Sequence, residues 1–208
     1  MTLPLWTSLT TIFAVWLVVA MAPGPNFFAT IYTATTQSRR LGLYVSAGIA
    51  VGTTIWATAS LAGLGILFQT TAWLYQAVKL AGGLYLVYLG IRTILSARHA
   101  RAASPARLGA LSPLQAFRRG LVVDLSNPKA AIFFTSVFAV AVPPQAPLWF
   151  QALVVATVVM IAAGWYALVA CLVNLPPVAA ALRRAHKAMS YVTGLVFVAL
   201  GARLATDR

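Results

Sequence analysis

The chain has 208 residues, of which 61% are hydrophobic and 8% charged, whereas a soluble domain carries about a quarter charged residues. This excludes a water-soluble fold, since a chain of this length cannot hide so much apolar surface, and makes lipid the solvent for most of it. The 15 Lys and Arg against 2 acids leave a net +13, but the bases stand in short clusters between apolar runs, the pattern of membrane orientation and not of nucleic-acid binding.

A transmembrane helix needs about 20 apolar residues. Leu5 to Met21 is the first predicted span, ended by Pro23-Gly24-Pro25. Met1 to Ser38 carries no charge, no basic n-region and no cleavage site leading into a polar domain, so a cleaved signal peptide is not expected. Asn26 to Thr36 is too short to cross alone and is followed by Arg39-Arg40. Gly42 to Phe68 is the second span, with a tight turn at Gln69-Thr70-Thr71. Trp73 to Leu95 is the third, with Trp73, Tyr75, Tyr85 and Tyr88 as interfacial anchors, and Lys79 and Arg92 near its opposite ends. Ser96 to Gln115 is a polar connector holding Arg98, His99, Arg101 and Arg107. The fourth span starts after Arg118-Arg119 and stops at Pro143-Pro144. Trp149 to Val173 is the fifth, and Tyr191 to Leu204 with its flanks is the sixth. The single Cys171 lies in an apolar run and offers neither a disulfide nor a metal site.

The expected fold is therefore an all-α membrane protein of six transmembrane helices. Bases fall in the first, third and fifth connections (Arg39/Arg40, the Ser96–Arg119 stretch, Arg183/Arg184/Lys187) and are missing from the second and fourth. The basic connections should face the cytoplasm, with both termini periplasmic if all six spans cross. An internal repeat is visible in the third and sixth spans. Gly83 and Gly90-Ile-Arg92 match Gly194 and Gly201-Ala-Arg203, with six residues between the glycines of each pair. Each half also opens with a helix interrupted by Asn and Pro, at Pro23-Gly24-Pro25-Asn26 and at Asn127-Pro128-Lys129, before an aromatic pair, Phe27-Phe28 or Phe133-Phe134. Three spans per half place the second half upside down relative to the first. The domains are then a first three-helix repeat at 1–95, a basic cytoplasmic connector at 96–115 and a second repeat at 116–208. Broken helices at matching positions of inverted halves point to a transporter's midplane site.

Proline removes a backbone donor and clashes with the preceding turn, and in lipid each polar group so freed costs several kcal/mol unless satisfied. Pro25-Asn26 and Asn127-Pro128 look like helix starts, with Asn127 as a cap and Pro128 in the first turn. Such starts present bare N–H groups and partial positive charge, which suit a carboxylate. Pro23, Gly24, Pro25, Asn26, Asn127, Pro128 and Lys129 are thus the candidate substrate-binding residues; structural kinks are the other explanation. A cation in the first turn of a half-helix, as at Lys129, opposes the macrodipole and calls for an anion, either Asp124 or a substrate carboxylate, unless the side chain snorkels to the membrane edge. Asp124, the only acid before the C-terminal tail, is the coupling candidate: it can receive an ammonium, pair with Lys129 or Arg119, or carry a proton. Thr30 and Thr53 are secondary polar candidates, with helix-to-helix bonding as their alternative role, and Gly48-x-x-x-Gly52 suits close helix packing.

Together, Pro23-Gly24-Pro25-Asn26, Arg39-Arg40-Leu-Gly42, Gly48-Ile-Ala-Val-Gly52, the stretch from Lys79 to Gly90, and Phe117-Arg-Arg-Gly120 followed by Asn127-Pro128-Lys129 and Phe134 resemble the lysine exporter (LysE/RhtB) family of amino-acid efflux permeases over nearly the whole chain. The resemblance implies export of an amino acid such as lysine, arginine, threonine, homoserine or leucine across the inner membrane of a bacterium, driven by the proton gradient, and no cofactor or metal is expected. Many members carry an Asp where this chain has Thr53, so an acid partner is expected to be missing from the second span; this favours a neutral or zwitterionic substrate (threonine, homoserine or leucine) over a basic amino acid. Members often have an amide at the position of Asp124, which ranks it below the two breaks. A homo-oligomer is compatible with the sequence. A membrane-embedded enzyme would need paired carboxylates, a nucleophile with its base, or a metal cluster; the chain offers only His99 and His186, both in basic connections, and no acid pair in a span. A purely structural subunit would leave two costly breaks without a use.

Overall fold

Proline and glycine punctuate the chain where its helices start and stop. The computed structural model describes residues 5–70, 80, 83–84, 87–88, 90–95, 111–143 and 145–206, which form helices and short connections with no strand among the described residues. Helix α1 (Leu5–Met21) ends before Pro23, and α2 (Pro25–Thr36) starts with proline in its first turn. The two are bent by 50° at the break and together are long and apolar enough for one span. Helix α3 (Arg39–Thr70) takes in Arg39-Arg40 and also Gln69 and Thr70, where a turn was expected. Its Arg39–Gly63 portion is long and apolar enough to cross a membrane.

Of the expected third span, the described positions 80, 83–84, 87–88 and 90–95 are helical. Trp73, Tyr75, Lys79 and Tyr85 lie outside the described residues, as do Arg98, His99, Arg101 and Arg107 of the connector.

Helix α4 (Pro113–Leu125) starts before the expected position, inside the connector's last residues. A capping box explains the early start: Ser112 Oγ accepts from the Gln115 N–H at 3.3 Å, and Gln115 Oε1 accepts from the Ser112 N–H at 2.8 Å. After a break at 126–127 come α5 (Pro128–Ile132), one π-helical turn (Phe133–Val137) and α6 (Phe138–Ala141). Helix α7 (Leu148–Leu172) follows and alone satisfies the length and apolarity of a span. Helix α8 (Pro176–Thr206) starts well before Tyr191, so Arg183, Arg184 and Lys187 lie on a helix and not in a loop. Its apolar stretch is the shorter Ala188–Arg203.

The core is aromatic and lies where α1 meets the π turn. The Trp16 ring packs 4.5 Å from Phe133 and 4.8 Å from Phe134, with Phe138 against both phenylalanines. Its indole N–H donates to the Val158 carbonyl at 2.8 Å, which ties α1 to α7. The helices α3 and α4 approach until backbones touch: a Cβ on Gly48 would overlap the Phe117 carbonyl, and one on Gly120 would overlap that of Val45. In lipid, where apolar surface gains little from leaving the solvent, such close packing holds helices together. Met160, Leu168, Val192 and Leu195 are exposed on α7 and α8, as a lipid-facing surface requires.

Candidate functional site

Each break leaves a carbonyl whose regular partner, the N–H four residues on, has been removed by a proline. In the first break that carbonyl belongs to Val19, opposite Pro23. Lys129 Nζ donates to it at 2.8 Å and to the Ala22 carbonyl at 3.1 Å. The Tyr166 hydroxyl, from α7, donates to the neighbouring Ala20 carbonyl at 3.2 Å. In the second break the carbonyl belongs to Asp124, opposite Pro128, and it accepts the Trp56 indole N–H from α3 at 3.2 Å as well as the Asn127 N–H at 3.0 Å. Both breaks are therefore satisfied by side chains from elsewhere in the fold, as backbone at membrane depth demands.

The second half-helix starts as its sequence predicts. Asn127 is buried and its Oδ1 accepts from the Lys129 N–H at 3.0 Å, with Pro128 next in line. The first half-helix has Gly24 at its N-cap with no side-chain cap. Gly24 has φ −170°, an extended conformation open to any residue, so space is what matters there. A Cβ would lie 3.1 Å from Lys129 Nζ and 3.5 Å from its Cε. The two breaks thus touch, with the lysine chain laid between them.

Beside the lysine sits a carboxylate. Asp124 is fully buried; Asn26 Nδ2 donates to its Oδ1 at 2.6 Å and Thr53 Oγ1 to its Oδ2 at 3.4 Å. Gly52 makes room for it, since a Cβ there would lie 2.6 Å from Oδ2. One short bond therefore joins α2 of the first half to α4 of the second. Asn26 Oδ1 is buried without a hydrogen-bond partner among the described residues.

The structure brings Asn26, Gly24, Asn127, Lys129, Asp124 and Thr53 together, with changes to their expected roles. The Lys129 ammonium is bonded to the C-terminal carbonyls of α1, the negative end of that helix, while its charge also acts on Asp124. Pro25 and Pro128 are exposed and Pro23 is partly buried, so the asparagines and not the prolines point inward. Thr30 is buried, but its hydroxyl bonds the Asn26 carbonyl of its own helix at 2.9 Å. The second span carries no acid of its own at Thr53, and the Asp124 carboxylate reaches that spot from α4 across the helix interface.

Trp56, Tyr166 and the carbonyls of Val19, Ala20 and Ala22 escaped the sequence reading. A signal existed: Trp56 and Tyr166 are mid-span aromatics with one polar atom each, separated by nearly the interval between Gly83 and Gly194. Among the described residues no group of three His, Cys, Asp or Glu is placed to hold a metal ion.

Comparison with known proteins gives the family of the chain. The family model described as LysE type translocator matches residues 17–208. The threonine efflux protein of Escherichia coli (strain K12) is 32% identical over 200 residues, covering 95% of this chain and 97% of that protein. The threonine efflux protein of Salmonella typhi is 32% identical over 201 residues with the same coverage. The leucine efflux protein of Salmonella choleraesuis (strain SC-B67) is 28% identical over 195 residues, 90% of each chain. No solved structure matches the chain.

Proposed function

This chain belongs to the LysE type translocator family, and from that premise we propose that it exports a small amino acid across the bacterial inner membrane through the meeting point of its two breaks. The observation that carries the reading is the Asn26–Asp124 bond beside Lys129, where a half-helix from each half, one cation and one carboxylate converge. A zwitterion needs that combination: donors for its carboxylate and an acceptor for its ammonium. A neutral or zwitterionic substrate fits this pairing, and the threonine and leucine efflux relatives favour it over a basic amino acid.

The working architecture is two inverted three-helix repeats, 1–95 and 116–208, joined by a basic cytoplasmic connector, with both termini periplasmic. Reciprocal contacts support it. Gly90 packs on Gly194 and Gly201 on Gly83, the exchange of partners that a two-fold axis produces. Likewise Trp56 of the first half bonds the break of the second, and Tyr166 of the second bonds the break of the first.

Proton coupling is assigned to Asp124. It is buried, joins the halves and occupies the place beside Thr53, so gain or loss of one proton there changes its bonds to both α2 and α3. The test is efflux of a panel of radiolabelled amino acids from proteoliposomes with and without an imposed pH gradient. The wild type should move at least one neutral amino acid faster with the gradient, and Asp124→Asn should remove the gradient's effect. An unchanged response in Asp124→Asn refutes the coupling role, and no movement of any amino acid refutes export.

A further inference from the structure

The seam between α2 and α4 continues from Asn26–Asp124 towards the basic end of the molecule. The two helices run antiparallel there, so the rungs occur in reverse order. The Arg119 guanidinium lies over the Tyr32 ring, 5.1 Å from its centroid, and Gln37 Oε1 accepts from the Leu111 N–H at 3.2 Å. Arg119 is out of place in this series. Its Nη1 is buried without a hydrogen-bond partner among the described residues.

A guanidinium is permanently charged and carries five N–H donors. An aromatic face attracts that charge but gives the buried Nη1 no oxygen to donate to. Acids able to pair with it are few in this chain. Its only acids are Asp124 and Asp207, and both oxygens of Asp124 are already engaged. A buried guanidinium nitrogen calls for an acceptor, and the planar fork matches a carboxylate better than any other small group an amino acid carries.

We propose that Arg119 is a specificity-determining residue that receives the free carboxylate of the substrate at the basic, cytoplasmic end of the α2–α4 seam, drawing the guanidinium off Tyr32 and loosening that seam. This rests on the export reading above and adds its entry step. A carboxylate held there stands about a turn and a half of helix from Asp124. From that position its next set of donors is the pair of breaks. Esters and amides of the same amino acids lack the charge that Arg119 requires and are excluded.

Two measurements test this. The purified full-length protein is treated with phenylglyoxal, and modification of Arg119 is followed by mass spectrometry in the presence of sodium propionate, propionamide, propylammonium chloride or sodium chloride. Propionate should protect Arg119 and leave Arg39 and Arg118 unprotected, and the other three additives should not protect it. Absence of protection, or equal protection by chloride, overturns the proposal. In inside-out vesicles, Arg119→Gln should raise KM for L-threonine about tenfold with little change in maximal rate, and Arg119→Lys should lie between it and the wild type. An unaltered KM in Arg119→Gln overturns the proposal. Should that variant fail to insert, the labelling of the wild type decides. If propionate protects Arg119 but the wild type moves no amino acid, the carboxylate site stands and the export reading falls.

Discussion

Lys129 shows how far one side chain's role depends on its partners. A first-turn lysine opposes its own helix dipole, yet here the ammonium reaches across to a helix C-terminus, where Pro23 has left the Val19 carbonyl without an N–H. Removing it should leave two carbonyls unsatisfied, at about 1–3 kcal/mol each, so Lys129→Ala is expected to lower thermal stability as well as abolish export; an unchanged melting temperature would count against the bonds described. Gly52 gives a second prediction. Its added methyl would displace the Asp124 carboxylate, so Gly52→Ala should impair export several-fold in protein that still inserts, and wild-type efflux would show that the carboxylate's position does not matter. Asn127 and Lys129 could be singled out from the sequence because capping and dipole rules are local. Trp56 and Tyr166 could not be assigned so directly, because their partners are backbone oxygens 68 and 146 residues away along the chain.

At the scale of elements, proline explains where helices break and glycine explains where they touch. The sequence located both interrupted helices and the Gly48–Gly52 packing face, since Pro, Gly and apolar length act over a few residues. The helices α4 and α8 run further back than the apolar spans read from the sequence, because basic residues were taken to mark loops. Arg118 and Arg119 instead extend a helix already begun by the Ser112–Gln115 box, and Arg183, Arg184 and Lys187 lie within α8. The π turn at Phe133–Val137 had no local signature; it accompanies the packing of Phe133 and Phe134 on Trp16. Two substitutions separate these roles. Asn127→Ala should weaken the start of α5 by about 1 kcal/mol and reduce export without loss of insertion. Gly48→Leu must drive α4 off α3, because the new side chain meets backbone; it should give little or no membrane-inserted protein in a fractionation assay, and normal insertion would contradict the close approach.

For the whole molecule, reciprocity is the organising feature. Each half donates an aromatic N–H or O–H to the break of the other, and glycines from the two matching segments exchange partners. That arrangement places a partly buried lysine and the only carboxylate buried among the described residues where the two breaks meet. The glycine spacing pointed to a repeat, but the contact of Gly90 with Gly194 and of Gly83 with Gly201 was not legible, since spacing says nothing about which faces meet. The central claim is that substrate passes where the two breaks meet. Exchange of radiolabelled L-threonine across proteoliposome membranes tests it most directly, comparing wild type with Asn26→Ala and Lys129→Ala at matched reconstitution. Rapid exchange is expected of the wild type, with a fall of about tenfold or more in each variant. Exchange at the wild-type rate in both would contradict it.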